Sequence, residues 1–210
     1  MDILIVDDHE VVRTGVRSVL QDIFNHATIY EAYDEKSALV LVKERNYHLI
    51  IMDVQMPNTD SFGFLEYIKL KDQNARVLVF SMSNETIYAK RFLKSGAMGF
   101  VSKSTGLAEL TKAVELVMNG RKYISENLSE LLAQEFDADA KPNQFDLLSK
   151  REFEVAALLM KNKSINEIAS ILSINSSTVA SHKARVLEKM NAKNITELIE
   201  IDNINRHEKS

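Results

Sequence analysis

The chain has 210 residues, enough for one large domain or two small ones, and its 45% apolar and 27% charged residues are typical of a globular protein with buried cores. It contains no cysteine, which excludes disulfides and thiolate metal sites. The start MDILIVDD is not that of a signal peptide, and no uninterrupted apolar run approaches the roughly 18 residues of a membrane span. We therefore expect a cytoplasmic protein without a membrane segment.

The net charge of −4 is divided unevenly along the chain. Residues 1–145 hold 16 Lys and Arg against 21 Asp and Glu, whereas residues 147–195 hold eight basic residues against four acidic ones. A basic block behind an acidic one favours two units with different partners. A random distribution of surface charge is the alternative at this point.

The first part of the chain alternates short apolar runs with amphipathic helical patterns. The predicted strands are Ile3–Val6, Thr28–Ala32, Leu49–Met52, Val77–Phe80 and Gly99–Val101. The predicted helices are 10–22, 34–45, 61–71, 85–95 and 107–119. This alternation predicts an α/β, flavodoxin-like fold with a doubly wound, five-stranded parallel sheet.

The alternation stops near Gly120, and only helical patterns follow. A helix is predicted over 126–136, and the polar segment DADAKPNQ after it is the predicted linker. The later predicted helices are 149–161, 164–172, 176–190 and 194–202, before a polar tail (203–210) that we expect to be frayed. The predicted boundaries are 1–122 for the first domain, 123–145 for the linker and 146–204 for an all-α, four-helix domain.

Polar residues follow four of the predicted strands at their carboxyl ends, where ligands gather in open parallel sheets. Asp7 and Asp8 follow the first strand, Asp53 the third, Ser81 the fourth and Lys103 the fifth. Three converging carboxylates need a compensating cation such as Mg²⁺, and a carboxylate beside Mg²⁺ can become an aspartyl phosphate. Taken singly, Asp8 and Ser81 have an alternative role as helix caps.

The motifs VDDHE, MDVQMP, FSMSNE and GAMGFVSK, in this order, resemble the receiver domain of bacterial response regulators over about residues 1–122. The resemblance implies that Asp53 is the phosphoacceptor and that Mg²⁺ is held by Asp8, Asp53 and the backbone carbonyl of Gln55, with Asp7 acting partly through water. It also implies a switch hydroxyl, a phosphate-pairing lysine and a switch aromatic, namely Ser81, Lys103 and Phe100.

Three positions distinguish this chain from common receiver patterns. Ser61 stands where many receivers have Gly, and Met82 stands where a small residue is frequent, so we expect Met82 to shield the phosphoryl group. Ser104 after the lysine resembles the NarL/FixJ branch. His9 and His48 lack partners at metal-ligand spacing, so we assign them no metal role.

Helices 164–172 and 176–190 are separated only by the short link SIN, which predicts helix-turn-helix geometry. The second helix has an apolar edge formed by Val179, Val186 and Met190, and Ser176 or Ser177 suits its N-cap. Residues 148–198 are similar to the LuxR-type DNA-binding domain through LSKRE, the IA before the turn, and TVASH followed by KM.

This second resemblance implies that helix 176–190 is the recognition helix. The predicted DNA-binding residues are Ser177, Thr178, Ala180, Ser181, Lys183, Ala184, Arg185, Lys189 and Lys193. The lysines are candidates for phosphate contacts, and Arg185 or Ser181 for contacts to base edges. The alanines permit close approach to the groove, although LuxR-type domains often carry a charged residue at the position of Ala180. His182 is expected to be packed and hydrogen-bonded.

End to end, the chain resembles a NarL/FixJ-type response regulator. This implies a transcription regulator, not an enzyme, that a histidine kinase phosphorylates and that binds double-stranded DNA, at least when active, as a homodimer. Two alternatives stay open: a regulator of the same architecture that works without phosphate, and a phosphatase of the haloacid-dehalogenase type. The latter typically carries DxDxT after its first strand, where this chain has VDDHE.

Overall fold

The structure is a computed structural model, and it describes residues 1–134 and 143–207. The chain divides into two compact units, the first spanning Met1–Glu130 and the second beginning at Leu131. None of the helices in the described ranges is both long and apolar enough to cross a membrane.

The first unit is built on a five-stranded parallel sheet in the order β2-β1-β3-β4-β5, which confirms the predicted α/β fold. Its strands are β1 (Asp2–Val6), β2 (Thr28–Ala32), β3 (Leu49–Met52), β4 (Val77–Ser81) and β5 (Gly99–Ser102). Strands β3 and β4 are buried at every residue, because helices cover both faces of the sheet, whereas β2 at the edge is only partly buried.

Five helices alternate with these strands, as predicted. They are α1 (Glu10–Ile23), α2 (Glu35–Glu44), α3 (Ser61–Lys71), α4 (Glu85–Lys94) and α5 (Leu107–Met118). Helices α1 and α5 share one core with one face of the sheet, to which they contribute Val16, Leu20, Leu110 and Val114. Side chains alternate across a strand, so Phe100 points to the opposite face, where it contacts Phe92 of α4.

The chain returns to the sheet after α5, where the Tyr123 amide donates to the carbonyl of Met98 at 2.8 Å. Tyr123 is buried against Gly99, at which a Cβ atom would lie 2.9 Å from the Cβ of Tyr123. The glycine at the start of β5 therefore lets this segment pack on the strand. Helix α6 (Glu126–Gln134) follows, and residues 135–136 of the predicted helix lie outside the described residues, as does most of the predicted linker DADAKPNQ.

The second unit contains α7 (Lys150–Met160), α8 (Ile165–Ile171), α9 (Ser176–Lys189) and α10 (Ile195–His207), which confirms a four-helix domain. Capping boxes begin α7 and α8, formed by Ser149 with Glu152 and by Ser164 with Glu167. The small core between these helices includes Val155, Leu159, Ile168, Leu172 and Val179.

The expectation of a frayed tail is wrong for residues 203–207, because α10 continues to His207. No Gly or Pro interrupts the sequence after Ile195, and Leu198 and Asp202 are buried on this helix. The polar composition of the tail favours fraying, but the burial of Leu198 and Asp202 stabilises the helix. The last three residues of the chain lie outside the described part.

Candidate functional site

Asp53 is a buried carboxylate directly after β3, and both of its oxygens accept hydrogen bonds. Its Oδ1 accepts from the Ser81 hydroxyl at 2.6 Å and from the Gln55 amide at 2.8 Å. Its Oδ2 accepts from the Lys103 ammonium at 2.6 Å. The structure thus brings together Asp53, Ser81 and Lys103, which the sequence placed at the ends of three different strands.

Lys103 also joins Asp53 to Asp7, because its Nζ lies 2.6 Å from the Oδ2 atom of each carboxylate. Burial acts against the charge of this side chain, but the neighbouring carboxylates outweigh it and raise the pKa of Lys103 above its ordinary value. The ammonium therefore stays charged. It compensates one of the three negative charges that Asp7, Asp8 and Asp53 bring to this end of the sheet.

The carboxylates of Asp7, Asp8 and Asp53 form a pocket that suits a divalent cation. Ligand atoms of Asp7, Asp8, His9 and Asp53 all lie within 4.8 Å of one another. The Oδ1 atom of Asp8 is buried and accepts no hydrogen bond from any described residue, although it lies 2.8 Å from Nδ1 of His9. A buried, unsatisfied carboxylate oxygen among hard oxygen donors fits Mg²⁺.

His9 lies beside this acidic cluster, although sequence spacing assigned it no metal role. Its Nδ1 lies 3.3 Å from Oδ1 of Asp7 as well as close to Asp8, and its side chain is 65% exposed. The sequence DDH, in which His9 directly follows the two aspartates, is the feature that could have indicated this proximity. The fourth member of the cluster, Asp53, follows a different strand, so spacing along the chain does not reveal the cluster.

The capping alternative for Asp8 and Ser81 is wrong. The N-cap of α1 is His9, with no side-chain cap, and the N-cap of α4 is Asn84, whose Oδ1 accepts from the Thr86 amide at 3.1 Å. Neither Asp8 nor Ser81 caps the start of a helix, so both side chains are available to the acidic pocket.

Phe100 is fully buried, and it belongs to a column of three aromatic rings. Its ring centroid lies 6.4 Å from that of Phe92, which in turn stacks on Phe62 at 4.1 Å with the rings nearly parallel. The column joins β5 to α4 and α3. A movement of Phe100 would therefore disturb the packing of both helices.

In the second unit, α9 presents one buried edge and one open face. Val179, Val186 and Met190 are completely buried, as the sequence predicted. Eight of the nine predicted DNA-binding residues are exposed: Ser177, Thr178, Ala180, Ser181, Ala184, Arg185, Lys189 and Lys193. Lys183 is half-buried.

Two side chains on this face already have partners within the domain. The Ser181 hydroxyl donates to the carbonyl of Ser177 at 3.0 Å. The Lys189 ammonium lies 2.7 Å from Oε2 of the buried Glu152 and 3.2 Å from the carbonyl oxygen of Leu147. Hydrogen bonding from Lys189, together with that from the Ser149 amide, lowers the pKa of Glu152 to about 2.

Two local expectations about α9 need correction. Its N-cap is Asn175, not Ser176 or Ser177, and the Ser176 hydroxyl instead donates to Oδ1 of Asn166 at 2.9 Å. His182 is half-buried as expected, but its Nδ1 has no hydrogen-bond partner among the described residues.

A doubly wound domain with an acidic strand-end pocket, followed by a helix-turn-helix domain, defines a class of switchable DNA-binding proteins. The receiver family (Response regulator receiver domain) matches residues 3–115, and the family of bacterial regulatory proteins, luxR family, matches residues 146–201. The chain therefore belongs to the response regulators that join a receiver domain to a LuxR-type DNA-binding domain.

Individual relatives are similar along nearly the whole chain. The response regulator GacA of Pseudomonas viridiflava is 30% identical over 197 residues, which cover 93% of this chain and 92% of that protein. The oxygen regulatory protein NreC of Staphylococcus carnosus is 32% identical over 208 residues, with 95% of each chain covered. A solved structure of the RcsB response regulator of Salmonella typhimurium, studied for its DNA interaction, matches 98% of both chains with a TM-score of 0.81 at 25% identity.

Proposed function

We propose that Asp53 accepts a phosphoryl group from a histidine kinase and that this modification controls DNA binding by the second unit. The observation that carries the proposal is the convergence of Ser81, Lys103 and Asp7 around the buried Asp53 carboxylate. A buried nucleophile with a hydroxyl and an ammonium already in contact is arranged to receive a dianionic group.

We assign the Mg²⁺ site to Asp7, Asp8, Asp53 and the backbone carbonyl of Gln55. When bound, the ion would neutralise negative charge on the phosphoryl oxygens and so permit attack by a carboxylate. The unsatisfied Oδ1 of Asp8 supports this assignment. Because Lys103 cancels only one of the three carboxylate charges, a dication would balance the pocket.

In the transfer, a carboxylate oxygen of Asp53 attacks phosphorus while the P–N bond to the donor histidine breaks. The electron pair of that bond stays on the imidazole nitrogen, which takes up a proton. Ser81 and Lys103 donate hydrogen bonds to Asp53 before the reaction and turn to the phosphoryl oxygens after it. The withdrawal of Ser81 would let Phe100 repack, and the column formed with Phe92 and Phe62 would carry the change to α3 and α4.

We propose that α9 enters the major groove and that two copies of the chain bind as a homodimer to half-sites about 34 Å apart or a multiple of this. Phosphate contacts are assigned to Lys183, Lys189 and Lys193, with a smaller contribution from Lys189 because its ammonium is paired with Glu152. Base contacts fall chiefly to Arg185, with close approach of Ser177, Thr178, Ala180, Ser181 and Ala184. DNA affinity should then fall steeply with salt.

The functional domains proposed are residues 1–122 and 146–204, joined by the linker 123–145, in a cytoplasmic protein that turns over no substrate. The similarity to GacA, NreC and RcsB over more than nine-tenths of the chain supports this organisation.

The test compares the full chain with Asp53→Asn and with Asp22→Asn, which removes an exposed carboxylate on α1 outside the pocket. Incubation with acetyl phosphate and Mg²⁺ should add one phosphoryl mass to the wild type and to Asp22→Asn, and none to Asp53→Asn. DNA affinity should rise only in the two proteins that are modified. Equal modification of Asp53→Asn would contradict the assignment, unchanged DNA affinity would favour phosphate-independent regulation, and steady hydrolysis of a phosphomonoester would favour a phosphatase.

A further inference from the structure

The peptide group between Val54 and Gln55 connects Asp53 to a serine that lies outside the pocket. Its N–H donates to Oδ1 of Asp53 at 2.8 Å, and its carbonyl accepts a hydrogen bond from the Ser61 hydroxyl at 2.9 Å. We propose that Ser61 is a positioning residue for phosphoryl transfer, holding this peptide so that its N–H points at Asp53. The proposal rests on the proposed role of Asp53 as phosphoacceptor.

A peptide group is planar, so fixing the direction of its carbonyl also fixes the direction of its N–H. Hydrogen bonds at both ends of one peptide polarise it in the same sense and strengthen each other in a low-dielectric interior. Val54 is 4% exposed and Ser61 is 7% exposed, so water is poorly placed to replace the Ser61 hydroxyl. The Ser61 hydroxyl is therefore one restraint on the direction of the N–H.

Ser61 itself is held in a fixed place as the first residue of α3. The preceding residue, Asp60, caps this helix by accepting from the Gly63 amide at 3.0 Å. The Asp60 amide donates to Oε2 of Glu35 on α2 at 2.8 Å, and Glu35 is a partly buried carboxylate whose burial raises its pKa. The hydroxyl is thus presented from a helix end that is tied to a second helix.

The arrangement requires a side-chain hydroxyl at position 61, because a glycine there would offer the Val54 carbonyl no hydrogen-bond donor. The next carbonyl along the loop, that of Gln55, is the one assigned to Mg²⁺, so the same restraint acts on a proposed metal ligand. Ser61 would therefore influence both the nucleophile and its metal site without touching either.

The experiment compares Ser61→Ala, Ser61→Thr and the matched control Thr59→Val in the full chain. Thr59 is a buried residue of the same loop whose hydroxyl donates to the Pro57 carbonyl at 3.2 Å, so its replacement removes a similar bond elsewhere. Two quantities are measured: the proton shift and hydrogen-exchange rate of the Gln55 amide by NMR, and the rate of modification by acetyl phosphate with Mg²⁺.

In Ser61→Ala, the Gln55 amide should shift upfield and exchange about three- to tenfold faster, and modification should slow by a similar factor, the range for one lost hydrogen bond. Ser61→Thr should restore both values, and Thr59→Val should leave both unchanged. If the wild type is modified normally but Ser61→Ala changes neither quantity, or slows modification only as much as Thr59→Val, the role of Ser61 is refuted. A wild type that accepts no phosphoryl group refutes instead the proposed role of Asp53.

Discussion

Replacing Lys189 by Met should destabilise α9, because Lys189 joins the end of this helix to the buried Glu152 of α7. Removal of one partner of a fully buried ion pair costs about 3–5 kcal/mol, and an exposed pair contributes about 0.2–1 kcal/mol. Here the Glu152 side chain is 5% exposed and that of Lys189 is 39% exposed. We therefore expect an intermediate loss of about 1–2 kcal/mol, or roughly a five- to thirtyfold change in the opening equilibrium.

The measurement is native-state hydrogen exchange of the full chain, with the α9 amides as readout and the β3 amides of the other unit as internal reference. Lys189→Met should speed exchange in α9 by that factor and leave β3 unchanged. Lys189→Arg should retain most of the protection because it keeps the charge. The matched control is Lys183→Met, on the same helix, since Lys183 has no ion pair among the described residues. Equal acceleration in both Met variants would refute the reasoning.

The ion pair between Lys189 and Glu152 should also make the stability of the second unit sensitive to acid. The pKa of Glu152 is held at about 2, against an ordinary value of 4.5, chiefly by the hydrogen bond from Lys189. A carboxyl whose pKa is lowered by folding stabilises the fold above its unfolded pKa, and this stabilisation is lost as the pH falls through its folded pKa. Protection of α9 should therefore decline between pH 4.5 and about 2, and decline less in Lys189→Met.

Three further changes test other parts of the structure. Ala180→Lys should strengthen binding to duplex DNA and steepen its salt dependence by about one unit of slope, measured by titration at several salt concentrations; unchanged binding would place Ala180 outside the groove. Lys71→Met should loosen the end of α2, where the ammonium contacts the carbonyls of Val42 and Lys43, by about 0.5–1.5 kcal/mol in hydrogen exchange. Gly63→Ala should lower the melting temperature of the first unit, because a Cβ there would lie 2.5 Å from Oδ2 of Asp60; an unchanged value would mean that the cap tolerates displacement.

Sequence patterns predicted the fold because the hydrophobic periods of a strand and of a helix can both be read from neighbouring residues. The run LIIM is apolar throughout, as a strand buried on both faces must be, and it was predicted with the bounds that the structure has. The pocket followed from the same rule, since the ends of parallel strands meet at one edge of the sheet. Strand position alone therefore brought Asp53 and Lys103 together.

Side-chain contacts between residues distant in the chain could not be predicted from the sequence. In the sequence, Ser61 differs only from the glycine of common receiver patterns, because nothing local shows that its hydroxyl faces the Val54 carbonyl. Lys189 looked like an ordinary basic residue on an open face, and its pairing with Glu152 depends on how α7 crosses α9. Both cases need the tertiary arrangement of two elements, which side-chain type and spacing do not contain.

The hydrogen bonds made by Ser181 and Lys189 explain why Ala180 and Ala184 matter for the proposed reading of DNA by α9. Ser181 directs its hydroxyl at the Ser177 carbonyl, and Lys189 is engaged by Glu152, so two polar side chains of the face are already hydrogen-bonded within the domain. With Ala180 and Ala184 offering only methyl groups, Arg185 is the long side chain at the centre of this face best suited to read base edges. One such contact discriminates by only about 1–3 kcal/mol, so the proposed homodimer, which would use two of them, would bind more selectively than a single copy. In the proposed mechanism, phosphorylation of Asp53 would then regulate specificity as well as affinity by favouring the DNA-bound homodimer.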